Sequence, residues 1–185
     1  MKKQLINLLA LVLLAGSATS CKKAYDNNNL DPLAPSYADI PVTVTNYNVL
    51  ERFPVFFATA PAGSFKVTFS IPADKGKIKE ISKVTTGANG LRDLQTGAPA
   101  VLYNYNSSSA TTVTVPGDGS NTISFTSDLD TYSKYRTRVG TGVATVNPVV
   151  STNPQAPTHI EYYFLLTLDN GTTIIPERVR VRVVQ

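Results

Sequence analysis

Residues 159–184 read HIEYYFLLTLDNGTTIIPERVRVRVV, and this stretch decides the fold class. Side chains along a β-strand alternate between two faces, so a period of two marks a strand with one face buried. Ile160, Tyr162, Phe164, Leu166 and Leu168 fall on one face, and His159, Glu161, Tyr163, Leu165 and Thr167 on the other. Asp169-Asn170-Gly171 is a hairpin turn, because Asn-Gly tolerates the positive φ angles that such turns require. On the return, Val179, Val181 and Val183 alternate with Arg178, Arg180 and Arg182. A two-residue turn at Asn170-Gly171 brings Tyr162 opposite Val179, Ile160 opposite Val181 and Glu161 opposite Arg180. On a solvated outer face that last pair is expected to contribute under ~1 kcal/mol. The same register sets Glu177 against Phe164 on the core side. A three-residue turn combined with a bulge near Pro176 releases Glu177 and still returns the valines to register.

Working outward, short alternating segments recur between Gly, Pro, Asn and Asp. Residues 40–44 form a first strand that Pro41 confines to an edge. A second apolar run occupies residues 52–58. Residues 64–71 alternate, with Phe65, Val67, Phe69 and Ile71 on one side. Residues 76–84 place Ile78, Ile81 and Val84 three apart, which suits a strand carrying a bulge. Residues 101–103, 112–115 and 122–125 supply three more strands, with a turn at 117–121. A brief helical turn is expected within 130–138, inside an irregular stretch that runs from 128 to 157. About seven or eight short strands with little helical periodicity predict an all-β, antiparallel β-sandwich over residues 39–185. With no Trp and one Cys, an antibody-type Cys-Trp-Cys core is excluded. The expectation is an immunoglobulin-like or fibronectin-type-III-like module, with jelly rolls and small barrels as alternatives.

The N-terminus has a different character. Lys2 and Lys3, an apolar run over residues 5–15 and the small residues Gly16-Ser17-Ala18-Thr19-Ser20 have the layout of a secretory signal. The apolar run is shorter than the ~20 residues that span a bilayer. Cleavage after residue 20 leaves 165 residues, enough for one domain with a real core. Without Lys2 and Lys3 the 17 basic residues become 15 against 13 acids, so the formal charge falls from +4 to +2. Scattered charge of that size gives no electrostatic footprint for nucleic acid. Residues 22–38, KKAYDNNNLDPLAPSYA, read as a polar tether of roughly 50 Å when extended. The single cysteine, Cys21, directly follows the small-residue segment.

Ala18-Thr19-Ser20-Cys21 resembles a bacterial lipobox, with Ala18 where Leu is commoner. The resemblance implies a diacylglycerol-modified thiol at Cys21 and cleavage just before it. Two or more acyl chains would make that anchor stable. Together with Lys22-Lys23 and the polar stretch behind them, the first thirty residues resemble the small envelope lipoproteins of Bacteroidota. That implies an outer-membrane address, since no Asp directly follows the cysteine; the periplasmic and surface faces both stay open.

Chemistry-bearing residues are sparse. His159 is the only histidine, so neither a catalytic triad nor a multi-histidine metal site can be assembled from it. A glycosidase pair needs two carboxylates that meet in space, and no Asp or Glu stands out for that role. Asp118, Asp128, Asp130 and Asp169 lack EF-hand spacing and suit turns. No metal or other cofactor is therefore expected. Tyr103-Asn104-Tyr105 is the best ligand candidate: at a strand end both rings share a face, where they can pack on sugars while Asn104 meets hydroxyls. Arg178, Arg180 and Arg182 make a basic stripe partly neutralised by Glu161. These features predict a lipid-anchored, non-catalytic interaction or ligand-binding module with an envelope protein or glycan as partner. A surface glycan-processing enzyme and a purely structural envelope protein are the alternatives.

Overall fold

A computed structural model describes residues 40–87, 89–96, 114–138 and 148–185. Among these residues, nine strands form two facing sheets. The smaller sheet orders β1 (Thr43–Val44), β3 (Ser64–Ser70) and β6 (Thr122–Asp128), all antiparallel, with β3 in the middle. The larger orders β2 (Val55–Thr59), β9 (Val179–Val184), β7 (His159–Leu168), β4 (Ile78–Thr86) and β5 (Val115–Pro116). The short β8 (Thr173–Ile174) lies beside β7. Two α-helices, α1 (Gly90–Thr96) and α2 (Leu129–Arg138), and a short 3-10 helix at Ala73–Lys75 complete the described residues.

The architecture is a β-sandwich, and alternation builds its core. Phe65, Val67 and Phe69 of β3, with Ile123 and Phe125 of β6, point inward from the small sheet. Ile160, Tyr162, Phe164, Leu166 and Leu168 of β7 point inward from the large one, beside Val179, Val181 and Val183. Aromatic rings join the layers: Phe69 meets Phe164 edge-on at 4.8 Å between centroids, Phe125 meets Phe164 at 5.1 Å, and Phe65 meets Tyr162 at 5.2 Å. Such tilted and edge-on pairs suit the ring quadrupoles as well as burying area.

The hairpin adopts the three-residue turn. Leu168 N–H donates to Thr172 O at 2.9 Å and Gly171 N–H donates to Leu168 O at 3.0 Å. Gly171 takes φ +84°, the left-handed conformation that this turn demands of its last residue. Beside the turn Leu166 pairs with Ile174, yet further along Tyr162 pairs with Val179. One extra residue therefore sits in the return strand around Pro176. It turns Glu177 out to solvent and restores the pairs Glu161–Arg180 and Ile160–Val181.

Other segments depart from expectation for physical reasons. β4 shifts register twice against β7, between Ile78 and Glu80 and between Ile81 and Lys83, and those irregularities bury Ile78, Ile81 and Val84 together. β2 runs parallel to β9, from Val55 opposite Arg180 to Thr59 opposite Val184, so the sandwich is not wholly antiparallel. That pairing arises because residues 45–54 carry the chain from the edge of the small sheet to the free edge of β9. The expected brief turn in 130–138 is a ten-residue helix. Asp128 caps it by accepting from Thr131 N–H at 2.6 Å, and Leu129, Ser133 and Tyr135 bury one face. Helix α1 has no counterpart among the expected elements. The expected strand at 101–103 lies outside the described residues.

Candidate functional site

The alternation that sends Val179, Val181 and Val183 into the core sends three arginines to the outer face of the large sheet. There they meet two carboxylates. Arg178 Nη1 donates to Glu161 Oε2 at 3.2 Å, and Arg180 donates to Glu161 Oε1 through Nε at 3.2 Å and Nη2 at 3.1 Å. Glu51 reaches in from the loop 45–54 and pairs with both Arg180 and Arg182. Tyr163 O–H donates to Glu161 Oε2 at 3.1 Å and accepts from Arg178 Nη1 at 3.3 Å. The Phe53 ring lies against Arg178 and Arg180, whose guanidinium carbons are 4.0 and 4.9 Å from its centroid. Guanidinium groups stack on aromatic faces in this way while their N–H groups stay free to bond.

These side chains are half-buried, at 18–31% exposure, so water screens the ion pairs less than it would at an open surface. The hydrogen bond from Arg180 holds Glu51 below its ordinary pKa against the cost of burial. Burial opposes ionisation of Glu161, but hydrogen bonds from Tyr163 and Arg180, with the charges of Arg178 and Arg180, outweigh it and lower its pKa too. Arg180 loses solvation here, yet its bonds to Glu51 and Glu161 raise its pKa. The sequence pairs Glu161 with Arg180 correctly, but the pair is less solvated than expected, with side chains 18% and 21% exposed. Arg180→Ala is expected to cost about 1–2 kcal/mol in urea denaturation at neutral pH, because Glu51 and Glu161 each lose a charged donor. Both carboxylates have lowered folded pKa values, so their contribution is complete above 4.5 and is lost as pH falls through the lower folded values. Wild type should therefore lose stability more steeply than Glu51→Gln/Glu161→Gln on acidification below 4.5; equal slopes would contradict the network.

Loop 45–54 is held at several points. Thr45 N–H donates to Thr68 O at 3.0 Å, and Asn46 bonds Lys66 O and Thr68 N–H, both at 2.8 Å. Asn48 N–H donates to Val55 O at 2.9 Å, and Glu51 and Phe53 lock onto the arginines. Between these holds, Tyr47, Val49 and Leu50 are 42%, 80% and 54% exposed, with Phe57 also exposed on β2. Single exposed apolar residues are ordinary, but three within four positions of one anchored loop are an unusual concentration.

Helix α1 covers a neighbouring part of the same outer face. Thr85 Oγ1 donates to Gly90 O at 2.8 Å, Lys83 Nζ donates to Leu94 O at 3.3 Å, and Leu94 is buried. Gly90 sits directly over the Tyr163 ring, where an ideal Cβ would lie 2.2 Å from Cδ2.

Of the residues singled out in the sequence, the structure brings together Glu161, Arg178 and Arg180. Cys21, Tyr103, Asn104 and Tyr105 lie outside the described residues. His159 is exposed, with Nδ1 3.2 Å from Pro157 O. Asp118 accepts from Ser120 N–H at 3.0 Å in its turn, Asp128 caps α2, and Asp130 pairs with Lys134 at 2.6 Å. Among the described residues, no group of three or more His, Cys, Asp or Glu side chains is placed to hold a metal ion. Glu51 and Phe53 are the additions that the sequence alone did not reveal.

No family model and no curated protein matches the sequence. Among solved structures, the chain is similar to the crystal structure of a Niemann-Pick type C2 protein from Japanese carpenter ant. The identity is 6%, over 77% of this chain and 89% of that one, with a TM-score of 0.26. At that score neither ligand nor activity carries over.

Proposed function

We propose that this chain is an exported lipoprotein, anchored in a bacterial outer membrane through Cys21, whose sandwich is an immunoglobulin-like, non-catalytic interaction module. The strand order supports the immunoglobulin-like reading: β1-β3-β6 faces β2-β9-β7-β4-β5, and the chain switches sheets between β1 and β2 so that β2 runs parallel to the last strand. The anchored loop 45–54 carries the interaction reading. Its polar residues spend their bonds on holding it still while Tyr47, Val49 and Leu50 face solvent.

Electrostatics favour this over a glycan-processing enzyme. A glycosidase general acid must keep its proton near neutral pH, which requires a raised carboxyl pKa. Glu51 and Glu161, the carboxylates gathered on the outer face, are both shifted the other way by arginines.

The anchor is tested by metabolic labelling with a palmitate analogue in the native host. Wild type should incorporate label and fractionate with membranes. Cys21→Ala should lose the label entirely and be recovered in the soluble fraction after a salt wash. Label that persists in Cys21→Ala would remove the lipoprotein reading.

A further inference from the structure

We infer that residues 47–50 form a second, non-covalent membrane contact, dipping Tyr47, Val49 and Leu50 into the interface of an anionic bilayer. This rests on the lipoprotein reading for the identity of the nearby membrane, but its chemistry stands on the loop. Three large side chains stand out from an anchored loop, two aliphatic and one amphipathic ring of the kind that favours the water–lipid boundary. Their basic collar is Arg52, exposed and 5.5 Å from the Phe53 ring centroid, together with Arg178 and Arg180 on the same ring and Arg182 joined through Glu51. Arg178, Arg180 and Arg182 pair with two glutamates, Glu51 and Glu161, and Arg52 adds a fourth positive charge, leaving the collar net positive. Apolar insertion combined with basic residues at headgroup level is how peripheral segments hold anionic bilayers.

Chain length argues for a lipid surface over other occupants. Only residues 22–39 separate Cys21 from Ile40, where the described domain begins, and fully extended they reach roughly 55 Å. β1 ends at Val44, three residues before Tyr47, so the apolar tip belongs to the first turn of chain after the tether. A tether this short gives the loop an effective concentration at its own membrane in the millimolar range, which fills a contact that is only weakly populated from free solution.

The test uses the full mature chain without its lipid, residues 21–185 carrying Cys21→Ser, so that the covalent anchor makes no contribution to binding. The protein contains no Trp, and Tyr47→Trp therefore introduces a single fluorescent reporter at the tip. Vesicles of phosphatidylethanolamine and phosphatidylglycerol at roughly 7:3 should bind the chain and shift the emission of that indole to the blue. Vesicles of phosphatidylcholine alone should bind it several-fold less. Val49→Ser/Leu50→Ser should lower binding to the anionic vesicles about tenfold with an unchanged melting temperature, because both side chains are exposed in the fold. Absence of binding to anionic vesicles, or binding indifferent to that double substitution, would overturn the inference. So would lipid-free self-association that the same substitution abolishes, since the tip would then be an interface between copies. Palmitate labelling of wild type reads Cys21 separately, so either claim can fail while the other stands.

Discussion

Phe164→Ala should cost about 3–5 kcal/mol of unfolding free energy, the largest loss expected from any single substitution discussed for this domain. Phe164 is fully buried at the centre of β7, with ring centroids of Phe69 and Phe125 at 4.8 and 5.1 Å across the sandwich and Tyr162 at 6.3 Å beside it. Truncation removes the ring that both sheets share and leaves a void, because the flanking aromatic rings are held by their own strands and cannot collapse into it. Against a typical stability of about 5–15 kcal/mol this is a large fraction. Urea denaturation of wild type and variant checks it. Phe164→Leu, which keeps most of the volume, should lose clearly less. A cost below about 1 kcal/mol for the alanine variant would mean that the inner face of β7 is not the core.

Gly90→Ala should destabilise by about 1–3 kcal/mol, although the same change in an open helix is worth about 0.5–1 kcal/mol in the opposite direction. Packing reverses the sign. A methyl group at Gly90 would sit 2.2 Å from Tyr163 Cδ2 and 2.7 Å from Cε2, well inside contact distance. The ring cannot swing aside freely, since its hydroxyl is bonded to Glu161 and Arg178. Either α1 lifts from the sheet or Tyr163 leaves the arginine network. Removing the obstruction with Tyr163→Ala should bring Gly90→Ala back toward neutrality in a double-mutant cycle. A plain gain in stability for Gly90→Ala would show that α1 does not rest on Tyr163.

The last hairpin is legible in the sequence because its signals are local and agree. A period of two over ten residues fixes the buried face, Asn170-Gly171 marks the turn, and the conflict at Glu177 points to a bulge near Pro176 as one of two solutions. The bulge in β4 is legible for the same reason, through the spacing of Ile78, Ile81 and Val84. Helix α1 is not: seven residues containing Gly90, with Leu94 as its buried apolar side chain, give no amphipathic stripe to read. Its existence depends on Thr85, Lys83 and Tyr163 beneath it. The parallel pairing of β2 with β9 is hidden because pairing direction leaves no mark on either strand. Glu51 and Phe53 are hidden by distance, since Arg180 lies 129 residues from Glu51 in the chain. Their importance comes from a crossover whose landing place no local pattern records. Half of the outer network, Glu161 with Arg180, is thus readable from register, and the half that anchors the apolar loop is not.

The chemical state of Cys21 in the protein made by its native host tests the lipid anchor most directly. Intact-mass spectrometry of material extracted from the envelope should find a chain that begins at residue 21 and is heavier than the polypeptide by a diacylglyceryl group and an N-terminal acyl chain. Thiolysis-resistant attachment at the first residue of the mature N-terminal peptide should locate it. A mature chain beginning at residue 21 with an unmodified thiol, or one cleaved elsewhere with Cys21 free, would contradict the anchor.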